Sequence, residues 1–120
     1  MNSSLASMTS ANASQTDTVR ELLAGRRKFF SLPQPFYTDL EVFNLDLEAI
    51  FYRRWILAGA ECEIANPGEY LTLSIGPTPI VVLRDQTGAV RAFFNTCRHR
   101  GSKICLSEKG AVRRLVCPYH

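Results

Sequence analysis

This chain of 120 residues has only two histidines and one tryptophan, and no apolar run in it approaches the length of about eighteen residues that a bilayer span requires. The amino terminus lacks the basic segment followed by an apolar one that marks a secretory leader. Met1 to Gln15 are rich in Ser, Ala and Asn and carry no acid, yet they also contain no arginine, which argues against an organellar transit peptide. There is no internal repeat, no low-complexity segment beyond that tail, and no nucleic-acid-binding motif with interleaved aromatics. These absences predict a cytoplasmic protein with neither membrane nor nucleic acid as partner. At 46% apolar and 21% charged residues the composition is that of one small globular domain.

What is present concentrates at the end of the sequence. Both histidines and two of the four cysteines fall in C-R-H at Cys97 to His99 and, after seventeen residues, C-P-Y-H at Cys117 to His120. Side chains two apart in an extended loop point the same way, so Cys97 and His99 can reach one bound inorganic unit. Cys117 and His120 repeat the pairing across a turn opened by Pro118. Two loops that each offer a thiolate and an imidazole make a four-ligand metal site. A mononuclear zinc accepts such a set, although zinc sites usually group like ligands as C-x2-4-C and H-x3-5-H. The mixed order suits a binuclear cluster in which two cysteines hold one iron and two histidines the other. Thiolate ligands must stay reduced, so no disulfide framework is expected, and Cys62 and Cys105 read as buried small hydrophobes.

The C-R-H-R-G run at Cys97 to Gly101 and the C-P-Y-H at Cys117 to His120 resemble the Rieske [2Fe-2S] motif, in the form found in the large subunits of Rieske non-haem iron oxygenases. Upstream, S-L-P-Q-P-F-Y (Ser31 to Tyr37), W-I-L-A-G (Trp55 to Gly59) and Y-L-T-L-S-I-G (Tyr70 to Gly76) resemble the branch acting on quaternary amines such as glycine betaine or choline. Rieske proteins of the cytochrome bc type tie their two cluster loops by a disulfide. The matching positions here resemble Ser102 and Tyr119, which cannot form one. The resemblance implies a [2Fe-2S] cluster held by Cys97, His99, Cys117 and His120, with neutral imidazoles raising its potential and the histidine-bound iron taking the electron. It implies electrons arriving from a flavin-containing reductase or a ferredoxin and passing to a mononuclear Fe(II) in a separate C-terminal domain of a neighbouring subunit, in a homo-oligomer, a trimer by resemblance. It implies monooxygenation or N-demethylation of a quaternary amine. An aromatic-ring-hydroxylating dioxygenase subunit, a Rieske ferredoxin and a structural zinc module are the alternatives. A helical extension of about fifty residues before the first strand argues against the ferredoxin.

Charge is distributed unevenly. Six basic residues (Arg98, Arg100, Lys103, Lys109, Arg113, Arg114) accompany Glu108 as the one acid between Cys97 and His120, whereas eight basic residues face ten acids before Cys97. A basic segment around a redox site predicts an acidic protein partner that exchanges electrons, since complementary fields steer encounter.

Taken in order, the chain is expected to begin with a disordered tail over 1–17, followed by a helical N-terminal extension over 18–54. Thr18-Val19-Arg20-Glu21 reads as a capping box for a helix from Val19 to Phe30. Pro33 and Pro35 then force an extended segment through Phe36 and Tyr37, and Asp46 caps a second helix over Leu47 to Arg54. Residues 55–120 read as the Rieske domain, in which strands begin at the apolar run from Trp55 to Ala60. Asn66-Pro67-Gly68 makes a turn. Leu71, Leu73 and Ile75 then alternate with polar partners, and Ile80 to Arg84 and Val90 to Phe94 complete an antiparallel meander. A hairpin with Val112, Leu115 and Val116 is expected between the two ligand loops. The fold class is mainly β with N-terminal helices (α+β), the β domain being truncated and so incomplete at the C-terminus.

Overall fold

The computed structural model describes residues 17–119, which divide into two compact units meeting at Trp55 and Ile56. The expected tail falls on residues outside that range, except that Asp17 is already helical. No described helix is long and apolar enough to cross a membrane.

In the first unit, helix α1 covers 17–24, so Thr18 lies inside the helix and not at its cap. It ends at Ala24, six residues short of the expected Phe30, where Gly25, a residue without Cβ, interrupts the apolar spacing. Phe29 adopts φ +66°, left-handed for a bulky residue, and Lys28 and Arg27 lie over the Phe29 and Phe30 rings. Pro35 opens a short helix, α2 (Pro35–Thr38), in place of the expected extended segment, because proline is preorganised for the first helical position. Helix α3 (Leu40–Asp46) is capped by Asp39, whose Oδ1 accepts from the N–H of Glu41 at 2.7 Å and of Val42 at 3.3 Å. The cap expected at Asp46 is therefore not formed. Asp46 is the last α-helical residue, and the chain continues into a π-turn over Leu47–Phe51 that ends with the Tyr52 N–H on Leu47 O.

The second unit is built on one antiparallel sheet of β1 (Glu69–Ile75), β2 (Thr78–Arg84), β3 (Val90–Phe94) and β4 (Lys109–Ala111) in the order β3-β2-β1-β4. The run from Trp55 to Ala60 forms no strand. Gly76 (φ +57°) and Pro77 turn β1 into β2. Asp85 shapes the next turn by accepting from Thr87 N–H, Thr87 Oγ1 and Ala89 N–H while pairing with Arg91. These donors hold the Asp85 carboxyl well below the usual carboxylate range, the Thr87 hydroxyl contributing most. Pairing puts Leu71 opposite Val82 and Tyr70 opposite Leu83. Since alternate residues face opposite sides of a strand, two cores result. Ile64, Leu71 and Val82 pack with Leu73 and Ile80; Tyr70, Val81 and Cys105 pack with Leu83, Ile104 and Val112. Arg84 ties the 3-10 turn Glu61–Ile64 to the β2–β3 turn by donating to Ile64 O, Gly88 O and Glu61 Oε1.

The hairpin expected within the ligand segment is replaced by β4, which returns to the outer edge of β1, with Glu69, Tyr70 and Leu71 opposite Ala111, Gly110 and Lys109. The Lys109 ammonium binds the Glu63 carboxylate, and Gly110 sits against the Tyr70 hydroxyl, which would lie 2.8 Å from any Cβ there. Fold class is as expected, mainly β and antiparallel with helices before it.

Candidate metal centre

The first ligand loop leaves β3 through Asn95, the buried polar residue of the described chain, with 0% exposure. Its side chain accepts from Cys105 N–H at 2.7 Å and Ile104 N–H at 3.2 Å, and donates to Cys105 O at 2.8 Å. Its own N–H donates to Pro79 O. Inside that closure, Thr96 bridges to Lys103, the Cys97 N–H donates to Ser102 O at 2.7 Å, and the Gly101 N–H returns to Cys97 O at 2.9 Å. The tight return needs Gly101 at φ +72°, where L side chains are strained. His99 stands exposed on the turn between Cys97 and Gly101.

The second loop starts where β4 ends. Val112 N–H donates to Gly68 O, and Gly68, at φ +89°, donates to Arg84 O. The chain then runs without regular structure past Arg113 and Arg114 to Cys117 and a turn at Pro118 and Tyr119. Contacts among the described residues join the two loops. The Cys117 thiol lies within hydrogen-bonding reach of Cys97, and the Arg100 guanidinium stands over the Tyr119 ring, 5.6 Å from its centroid.

The surroundings of Cys97 favour a thiolate. The backbone N–H of His99, the Cys117 thiol and the backbone N–H of Arg100 all turn toward its sulfur and lower its pKa. Among the described residues no third His, Cys, Asp or Glu joins the thiol pair. A binuclear group takes its ligands two and two, and a set of two thiols and two imidazoles suits that division. Of the four candidate ligands, then, the structure brings Cys97 and Cys117 together and places His99 on the same turn; His120 lies outside the described residues. Cys105 is buried as expected, and burial pushes its thiol up. Cys62 is exposed, contrary to expectation, because the 3-10 turn that carries it directs Ile64 into the core instead. Asn95 escaped the sequence reading; an asparagine after a strand looks like turn chemistry, and its only signal is its place two residues before Cys97.

A comparison with known proteins agrees with this geometry. Residues 54–120 match the family model of the Rieske [2Fe-2S] domain. The chain is 53% identical over 100 residues to the oxygenase subunit of glycine betaine monooxygenase from Pseudomonas aeruginosa, covering 83% of this chain and 23% of that one. It is 37% identical over 109 residues to the alpha subunit of benzene 1,2-dioxygenase from Pseudomonas putida, covering 91% of this chain and 23% of the relative. Among solved structures, the quaternary ammonium Rieske monooxygenase CntA in complex with gamma-butyrobetaine superposes with a TM-score of 0.66 at 39% identity, over 73% of this chain and 25% of that one. The chain thus spans about a quarter of the length of the proteins it matches. With the two-loop cysteine pair, the antiparallel sheet that carries it and the match over 54–120, this chain belongs to the Rieske [2Fe-2S] domain family.

Proposed function

We propose that this chain is the electron-transferring part of an oxygenase subunit that acts on a quaternary amine of the glycine betaine kind. Cys97 and Cys117 would hold one iron of the [2Fe-2S] cluster, and His99 and His120 the other; bound there, the cluster supplies one-electron exchange. The observation that carries this reading is the approach of Cys97 and Cys117 across two loops inside the stretch that matches the Rieske family model. Backbone N–H groups from His99 and Arg100 stabilise negative charge on the Cys97 sulfur, and the exposed guanidinium groups of Arg98 and Arg100 favour the reduced state.

The electrons would come from a flavin-containing reductase or a ferredoxin and leave to a mononuclear non-haem iron outside this chain, in a neighbouring subunit. Arg98, Arg100, Lys103, Arg113 and Arg114 are all exposed. Arg84, Arg113 and Arg114, with Asp85 and Gln86, border an open hollow of about 260 Å³ whose apolar lining is Leu83, Phe93, Val112 and Leu115. Basic groups around an apolar hollow suit an acidic donor protein, whose approach they would steer. The greater likeness to the betaine enzyme than to the benzene enzyme favours a quaternary amine; the latter keeps aromatic-ring hydroxylation as the second reading.

The test uses the natural full-length protein with its reductase. Glycine betaine, carnitine and benzene are supplied in turn, and oxygen consumption, formaldehyde release and hydroxylated products are measured. Betaine-dependent formaldehyde release is expected; a cis-diol from benzene with no turnover of either amine would replace the amine reading by the aromatic one.

A further inference from the structure

We infer that Asn95 is the positioning residue of the metal centre, an amide that sets where the Cys97 thiolate stands against Cys117. The inference rests on the ligand assignment proposed above and extends it to a residue that binds no metal.

A fully buried amide is costly unless every polar atom finds a partner. Asn95 is satisfied on both sides: Oδ1 takes two backbone N–H groups, from Ile104 and Cys105, and Nδ2 gives its hydrogen to Cys105 O. No buried side-chain nitrogen or oxygen among the described residues lacks a partner. Residues 104–105 lie outside any strand, so their peptide groups need a partner other than a sheet neighbour. Asn95 supplies it, acting as a strand one residue long. An apolar side chain could fill the same space, but it would leave three backbone groups unpaired, the two of Cys105 buried and the Ile104 N–H partly so.

The position of this clamp gives it a role beyond packing. It joins residue 95 to residues 104–105, and so closes the root of the loop that carries Cys97 and His99. Cys97 follows two residues later, held by Ser102 O and by the Gly101 return. The N–H groups of His99 and Arg100 that face the Cys97 sulfur belong to the same closed turn. If the root opens, that turn loses its fixed relation to β3 and the thiolate its fixed relation to Cys117. Groups hydrogen-bonded directly to a metal ligand usually matter about 10- to 100-fold for metal affinity; Asn95 acts one step further out, through the backbone of the turn, so an effect at the lower end of that range is expected.

The test compares the full-length wild type with Asn95→Asp and with Val82→Ala, a core change in the cluster of Ile64 and Leu71. Aspartate keeps the acceptor for the two N–H groups but turns an oxygen toward Cys105 O. Iron and sulfide content, the electron paramagnetic resonance of the reduced cluster, loss of the cluster to a chelator and unfolding stability are measured on each. Asn95→Asp is expected to lose cluster about tenfold faster than wild type and to shift the resonance, while Val82→Ala, destabilised at least as much, keeps the wild-type rate and spectrum. Should Asn95→Asp fail to fold, Asn95→Ser, whose shorter side chain cannot span both the N–H groups and the carbonyl that the amide holds, is expected to show the same signature. Wild-type rate and spectrum in a folded Asn95 variant would overturn the inference, as would equal cluster loss in Val82→Ala. A wild type that assembles no [2Fe-2S] cluster would overturn the ligand assignment together with it.

Discussion

The two ligand loops of this domain are held in different ways. The first is tied to itself by backbone: the Thr96–Lys103 bridge, Cys97 on Ser102, Gly101 on Cys97, and the Asn95 amide beneath them. The second is tied through its root, where Val112 meets Gly68, and through side chains, with Cys117 on Cys97 and Tyr119 under Arg100. The first loop thus carries its shape within its own sequence, whereas the second takes its shape from the sheet and from its partner loop. Across the two loops the Arg100 guanidinium lies over the Tyr119 ring, a contact each loop supplies one half of.

The largest effect should be blind to that difference. Cys97→Ser and Cys117→Ser are each expected to abolish cluster assembly in the full-length protein, because each would remove one of the proposed iron bonds. Metal analysis and visible absorption decide it, and retained iron and sulfide in Cys97→Ser would refute the assignment.

Alanine at Gly68 and Gly101, two of the left-handed glycines, separates the loops. At Gly68 a Cβ would lie 2.6 Å from the Val112 carbonyl oxygen at φ +89°, a clash with backbone that cannot move without shifting the second loop. Gly68→Ala should cost on the order of 2 kcal/mol or more in urea unfolding. At Gly101, φ is +72° but the space is open, so Gly101→Ala should cost about 1 kcal/mol, the conformational penalty alone. Equal costs would show that the root of the second loop is as adaptable as the first.

A smaller effect is expected from the loop-to-loop contact. Arg100→Ala and Tyr119→Leu should each cost about 0.5–1 kcal/mol, and the double variant no more than either single one, since a cation–π pair is lost only once. Additive losses in a double-mutant cycle would mean that the two side chains act separately.

Smallest is the dependence on acid. Lys109 holds the Glu63 carboxyl below its ordinary range, and Asn66 does the same for Glu69. A depressed carboxylate contributes stability that is complete above its unfolded pKa and is lost as pH falls through the lower folded value. Unfolding stability, followed by circular dichroism, should therefore fall through the acid range below the ordinary carboxylate pKa. Glu63→Gln should flatten that fall while leaving stability near neutrality slightly reduced; an unchanged slope would assign the acid response to other groups.

Much of this was legible in the sequence because period two is a local signal. Tyr70 to Ile75 alternate, and the turns at Asn66 to Gly68 and Asp85 to Gly88 stand where glycine, proline and aspartate put them. β4 was not legible, since Lys109-Gly110-Ala111 has no alternation to read and is placed by a long-range partner. The first-unit helices were misread because Asp39 and Asp46 both precede apolar residues, and only backbone geometry tells which one caps. At the site, the rarity of histidine and cysteine made the candidate ligands visible. Asn95 was not, because what distinguishes it is burial.

The pairing of β4 with β1 also sets an order in time. The β1–β2 and β2–β3 hairpins close short, local loops, but Glu69 meets Ala111 only after some forty residues of intervening chain have been brought back. Closing that long loop carries the larger entropic cost and belongs to a later stage of folding. Cys117 comes just after β4, so seating that strand is what brings its thiol to Cys97. A chain halted before this step would display Cys97 and His99 on a finished turn without Cys117 beside them, and stable iron uptake is expected only after β4 has paired with β1.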